Sequence, residues 1–482
     1  MTTPLRIGVV PLARPTFDVP FAEQVAASAF AALDAMGMEL VGPRELLFDA
    51  VAAEAALDDL KEKPLDALLI LQITFTDATM TVALARQVRA PVVIWAFPEE
   101  RTGGRLRLNS LCGLNLAGHA LGRADTGYRY VFGAPDDANS VTKLKALLSG
   151  ESRVSTSRQT GEGPDVSTSR ESPIPPGNGA ADRKAAAVVA ALRGRRIGVV
   201  GRHPDGFDTC RYEPDRLDAL AGVGVQPIEL PDLFDRARAV PDDRVQAVRD
   251  DAERNLGDLS DMEQEPLEKS LRVYGALRDI ADEQGLSGLA VRCWPEMFTE
   301  YGCAACGPMA MLNQDRVPCA CEADVYGNVT TLILQEIAGE VAFMSDLVDL
   351  DRGTDTGVFW HCGLAPVDMA DPDMAPRATI HSNRRKPLLN EFPLRPGRIT
   401  IARLSQARNE TKLVVGSGEI VRAPMSYSGT SGVVRFDAPV DTVLETVMQA
   451  GLEHHYAMVY GDHRDVLRAV AARLNLPVLD LT

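Results

Sequence analysis

Four short segments put carboxylates and imidazoles beside apolar residues. Arg292-Cys-Trp294-Pro-Glu296-Met-Phe-Thr-Glu300 follows the apolar run Gly288 to Val291, and Val317-Pro-Cys-Ala-Cys-Glu322-Ala-Asp324 follows another apolar stretch. Val358-Phe-Trp-His361-Cys-Gly363 and Leu452-Glu-His454-His455-Tyr carry histidines among aromatic and aliphatic neighbours. Burying an unpaired charge is costly, so acids and imidazoles that meet in an apolar setting share a cation or one another. A donor set of carboxylate oxygen and imidazole nitrogen suits Mn²⁺ or a similar divalent ion. Each segment also has a plain structural reading. Glu296 and Glu300 are spaced as neighbours on an exposed helical turn. Glu322 and Asp324 are placed to cap the helix expected after them. His361 can be a satisfied core histidine. On a strand, His454 and His455 would point to opposite faces, so at most one of them should be a ligand.

The thiols offer a second chemistry. Six of the eight cysteines fall between residues 293 and 362, and Cys303-Ala-Ala-Cys306 and Cys319-Ala-Cys321 have spacings that could hold tetrahedral zinc. Their alanine- and glycine-rich surroundings favour small buried side chains packing near a site. A dinucleotide site is disfavoured, because Gly198-Val-Val-Gly201 follows a strand but lacks the Gly-x-Gly-x-x-Gly spacing. No Walker A sequence, nucleophile elbow or His-Glu-x-x-His occurs.

These residues need a scaffold, and the chain reads as α/β. The apolar runs Leu5 to Leu12, Leu65 to Ile73 and Pro91 to Ala96 alternate with helical stretches at 21–36 and 79–88. This is the pattern of a parallel sheet covered on both faces, which binds ligands at the carboxyl ends of its strands. The loops to watch are therefore 14–18, 72–77 and 97–112. A Ser-, Pro- and Gly-rich segment at 151–183 reads as a flexible insert or linker. Beyond it Arg196-Ile-Gly-Val-Val repeats the opening Arg6-Ile-Gly-Val-Val. We expect two successive doubly wound parallel-sheet domains, at 1–150 and 184–355, then a smaller β-rich domain at 356–482. The second would supply the carboxylates and the last the histidines.

Composition narrows the partners. With 50 Lys+Arg against 67 Asp+Glu the formal charge is −17, which disfavours nucleic acid and anionic lipid. The N-terminus has no signal-like pattern and no apolar run reaches membrane-spanning length, so the expectation is a soluble cytoplasmic protein acting on a small molecule.

In their order, these segments resemble the L-fucose isomerase and L-arabinose isomerase superfamily of metal-dependent ketol isomerases. The resemblance covers most of the chain. It rests on Arg14-Pro-Thr-Phe-Asp18, Trp294-Pro-Glu296, Ala320-Cys-Glu-Ala-Asp324, Trp360-His-Cys-Gly363 and His454-His-Tyr-Ala-Met-Val-Tyr-Gly461. It implies a Mn²⁺-type ion in a cleft shared between subunits of a trimer or hexamer. By similarity, Glu296 and Asp324 become ligands and the acid and base, and His455 becomes the imidazole ligand. His361 matches a histidine that the arabinose branch places by the metal. In the fucose branch the first acid lies farther beyond the tryptophan, where this chain has Gly307-Pro-Met-Ala-Met-Leu-Asn313 and no acid. The choices between Glu296 and Glu300, between Glu322 and Asp324, and between His454 and His455 stay open. Arg14, Gln72, Trp95, Asn109, Arg292 and Trp294 are the expected substrate contacts. The implied reaction interconverts an aldose and a ketose through a cis-enediol. Its substrate would be a pentose or hexose: unmodified, 6-deoxy, or 6-sulfonated like sulfoquinovose, with Arg14 or Arg292 meeting the anion. The competing classes are a non-catalytic sugar-binding protein and a metal-dependent aldolase or dehydratase.

Overall fold

The computed structural model describes residues 4–151 and 179–482. The segment expected as an insert lies outside these residues, apart from its two ends.

The opening run forms β1 (Arg6–Leu12), the second strand across a five-stranded sheet with β2 (Glu39–Val41), β3 (Ala67–Gln72), β4 (Val92–Ala96) and β5 (Tyr128–Phe132). The order is β2-β1-β3-β4-β5 and every pairing is parallel. β3 and β4 are buried along their whole length, as the unbroken aliphatic text predicts. The first helix, Val19–Ala35, starts where Asp18 accepts a hydrogen bond from the Phe21 amide at 3.2 Å.

The repeat of the opening motif forms β6 (Arg196–Val200), which pairs in parallel with β7 (Gly224–Ile228) and β8 (Gly288–Val291). The short β9 (Cys319–Ala320) completes the order β7-β6-β8-β9. Trp294 and Glu322 therefore follow the carboxyl ends of adjacent strands. Helix Val325–Ala338 begins at Asp324, whose Oδ1 accepts from the Gly327 amide at 2.8 Å, so the expected capping role is met.

The C-terminal sheet contains β10 (Phe343–Asp351), β11 (Thr356–His361), β12 (Arg377–Thr379), β13 (Leu389–Pro393), β14 (Gly397–Ser405), β15 (Lys412–Val421), β16 (Thr430–Phe436), β17 (His455–Tyr460) and β18 (Val478–Asp480). A pairing between β15 and β16 closes β16, β11, β10, β17, β14 and β15 into an antiparallel barrel. β10 belongs to this barrel although it precedes residue 356; Phe343 to Asp351 pairs with β11 and β17, and that hydrogen bonding outweighs its nearness in sequence to the second sheet. Among the described residues no helix is long and apolar enough to cross a membrane.

Barrel and second sheet are bolted together by Arg403 of β14, whose side chain is wholly buried. Its guanidinium donates to Asp324 Oδ2 at 2.5 Å and to the Thr209 carbonyl at 3.1 Å, and lies 3.9 Å from Glu453. Removing one partner of such a set strands the others as buried charges. Arg403→Met should therefore lower stability by about 3–5 kcal/mol, read by urea unfolding; a loss below about 1 kcal/mol would refute this account.

Candidate active site

His455 opens β17 and sits directly across from Asp346 of β10. Its Nδ1 donates to Asp324 Oδ2 at 2.9 Å. That bond fixes the tautomer and leaves Nε2 bare, and Nε2 lies 3.3 Å from Asp346 Oδ1 and 3.7 Å from Glu322 Oε2. His361, at the end of β11, joins Asp346 and His455 in a group of potential ligand atoms within 4.8 Å of one another; Glu322, His454 and His455 form a second such group, and Cys210, Asp324 and His455 a third.

The supports of each member differ. Glu322 has a left-handed backbone, with φ 57° and ψ 24°, rare for a residue with a side chain. That twist turns its carboxylate back to accept from Trp294 Nε1 at 3.1 Å and from His454 Nε2 at 3.2 Å. The expectation that at most one of the paired histidines serves the site is not met in placement: His454 precedes the strand, and the two rings lie 3.8 Å apart on the same side. Asp324 accepts from Arg403, His455 and the Gly327 amide, so its charge is fully engaged. Asp346 is buried, and its Oδ1 has no hydrogen-bond partner.

Electrostatics sort the acids. Burial would raise the pKa of Glu322, but the hydrogen bond and charge of His454, with His455, outweigh it and hold the carboxyl at about 2. For Asp324, burial is likewise outweighed by the Arg403 charge and the His455 bond, and its pKa falls. Asp346 lacks such donors, and burial lifts it to about 6. Burial and the charge of His454 lower the pKa of His455, consistent with a neutral ring.

A bare imidazole nitrogen facing two carboxylate oxygens, one of them unpartnered, is unfavourable unless a cation lies between them. The donors are hard, so the set fits a divalent ion. Asp324 behind His455 is the orienting carboxylate that metal-binding histidines ordinarily have.

Several expected residues are placed elsewhere. Glu296 grips its neighbour Arg292 through two hydrogen bonds, 2.7 and 2.8 Å, and Arg292 also donates to the carbonyls of Arg202 and His203. Glu300 is exposed and shares a surface groove with Arg238, Lys269 and Arg272. Neither joins a ligand group among the described residues. Gln72 donates to Thr74 O and Thr76 Oγ1, Trp95 donates to Gly133 O, and the Asn109 amide donates to Glu99; these side chains and turns shape the first domain. Arg14 and Trp294 do come together, with the guanidinium carbon 5.0 Å from the ring centroid. They do so within one chain. The thiols form no all-cysteine ligand group among the described residues: Cys293 packs on Cys321 with sulfurs 2.8 Å apart and Cys306 on Cys362 at 3.2 Å, while burial lifts the Cys303 thiol to about 12. Asp346 and Cys210 were missed. The signal for Asp346 was an acid inside the apolar strand Phe343-Met-Ser-Asp-Leu-Val.

Residues 8–148 match the fucose/sulfoquinovose isomerase N-terminal domain, and residues 390–482 match the L-fucose isomerase C-terminal domain. The chain is similar at both ends to the fucose isomerase family. It is similar to the sulfoquinovose isomerase of Alkalicoccus urumqiensis, 29% identical over 478 residues and 99% of each chain. The sulfoquinovose isomerases of Priestia aryabhattai and Clostridium sp. (strain MSTE9) are also 29% identical, over 97% and 98% of each chain. By these matches the chain is an isomerase of the aldose–ketose class, and its second domain and barrel supply the buried acid and imidazole set.

Asp346→Asn and Glu322→Gln should each weaken divalent-ion binding by about ten- to a hundredfold, and Glu296→Gln should leave it near the wild-type value. Metal content after dialysis, measured by elemental analysis, checks this; equal losses in all three variants would overturn the assignment.

Proposed function

We propose that the protein interconverts a sulfonated aldose, sulfoquinovose in its relatives' case, with the corresponding ketose, using Mn²⁺ held by Glu322, Asp346 and His455 with His361 beside them. The observation that carries this is His455 Nε2, stripped of its proton by the Nδ1 bond to Asp324 and aimed at two carboxylates. The names of full-length relatives support the sugar, and the oxygen and nitrogen donors support the ion. A homo-oligomer is the family expectation and accompanies this reading.

Aldose–ketose interconversion moves one proton from C2 to C1 and one between O2 and O1, through a cis-enediol. A divalent ion bound at the site supplies electrostatic stabilisation of the negative charge that develops on those oxygens. The chain's own residues do the rest. A carboxylate takes the proton from C2, holds it, and returns it to C1 on the same face. Glu322 is poised for this, because Trp294 and His454 fix both its oxygens. Asp346, on the opposite side of His455, can hold the hydroxyl proton at its free Oδ1. The aromatic wall of Phe75, Phe207 and Trp294 flanks His454 and keeps water from the reacting carbons.

The test is ketose formation from a 6-sulfonated aldose in D₂O, with Mn²⁺ supplied or chelated. Ketose labelled at C1 is expected, chelator should stop it, and His455→Ala should cut turnover by about a hundredfold or more. No ketose from any sulfonated or neutral aldose, with the ion bound, would overturn the proposal.

A further inference from the structure

Trp294 is the wall between the acid and imidazole set and a second, cationic set. On its inner edge the indole N–H is bonded to Glu322. Two guanidiniums lie against its ring: Arg14, from the loop after β1, at 5.0 Å, and Arg384, from the loop between β12 and β13, at 5.2 Å. Arg14 is tied to Asp77 at 2.6 Å. The guanidinium of Arg384 also rests on Phe298, at 5.2 Å, and makes no hydrogen bond or ion pair with any described residue. It is half-buried, so this is a cation partly withdrawn from water and lacking an anion.

The two loops are fixed for this placement. Arg105 donates through Nε to Asn383 Oδ1 and through Nη2 to the Thr16 carbonyl at 2.9 Å, which ties the Arg14 loop to the Arg384 loop. His381 is buried, stacks edge-on against Phe298 at 5.2 Å, and accepts at Nδ1 from the amides of Asn383 and Arg384. Arg384 thus projects from a turn built around an imidazole. Asp77 balances the charge of Arg14, so the second guanidinium on the indole, that of Arg384, leaves one positive charge that an added anion would balance.

We propose that Arg384 and Arg14 form an anion subsite that receives the sulfonate at the far end of the sugar, making Arg384 the residue that selects sulfonated over neutral substrate. This rests on the isomerase reading, since it places C1 and C2 at Glu322 and the charged end across Trp294. Guanidinium pairs match tetrahedral oxyanions through charge-assisted hydrogen bonds, and a 6-phosphate would present the same chemistry.

The experiment uses the metal-loaded full chain and two readouts. The first is calorimetric affinity for unreactive 6-sulfo-, 6-deoxy- and 6-phospho-hexitols of the same configuration. The second is kcat/KM for the corresponding aldoses. Arg384→Gln should lower the preference for the sulfonated over the 6-deoxy ligand by about tenfold or more in both, with the kinetic loss in KM, and Arg384→Lys should restore part of it. Equal losses on sulfonated and neutral ligands, or no loss on either, would overturn the subsite. Sulfo-hexitol binding that depends on Arg384 without any ketose formation would uphold the subsite and remove the isomerase reading. Ketose formation with an unchanged preference in Arg384→Gln would do the reverse. A preference for the phosphate that depends on Arg384 would overturn the sulfonate assignment.

Discussion

The site depends on one buried cation. Arg403 is enclosed by Asp324, Glu453 and the Thr209 carbonyl, and the side chains of all three charged residues are buried. Such a set is tolerable only with all its members in place. Because Asp324 is held by Arg403 and by the helix amide at once, its second function, receiving His455 Nδ1, comes with a fixed direction. The imidazole is oriented before any ligand arrives. The left-handed turn at Glu322 and Ala323 follows from the same anchoring, since the chain must leave β9, present Glu322 inward and still deliver Asp324 to the helix start. Backbone strain of this kind persists where the surroundings over-determine it.

The excess of acid is the next consequence. Glu322, Asp324, Asp346 and Glu453 are all buried, Arg403 pairs with Asp324 and Glu453 alone of these, and His454 is the imidazole whose charge is favoured, its pKa raised against burial by Glu322. The remaining negative charge is what a divalent ion would balance. Burial keeps the nearby Cys210 thiol protonated, its pKa raised well above the ordinary value, so it forms a wall of the site and adds no further charge.

Much of this was legible in the sequence where the signal is local. The alternation of aliphatic runs and helices gave both parallel sheets, and Glu322, Asp324, His361, His454 and His455 could be picked out as polar residues in apolar text. Glu296 misled for a local reason: with Arg292 four residues before it, its charge is satisfied on its own turn. Gln72 and Trp95 misled similarly, because a place near the carboxyl end of a strand does not distinguish a side chain facing the ligand from one holding the fold. Asp346, Arg403 and Arg384 were illegible because their roles are set by distant partners. Arg403 meets Asp324 across 79 residues, and nothing near Arg384 in sequence names Trp294.

The division of labour between the domains explains why the arrangement is exacting. Trp294 and Glu322 come from the carboxyl ends of strands in the second sheet, whereas Asp346, His361 and His455 come from three neighbouring barrel strands. In the barrel, Asp346 faces His455 across one rung and Trp360 across the other. Because side chains alternate along a strand, a slip of one residue in β17 would carry His455 to the other face and remove the nitrogen from both carboxylates. The closed barrel, which leaves its six strands no free edge, resists that slip. The site's precision therefore comes from register in one domain and from a single buried arginine that docks it against the other.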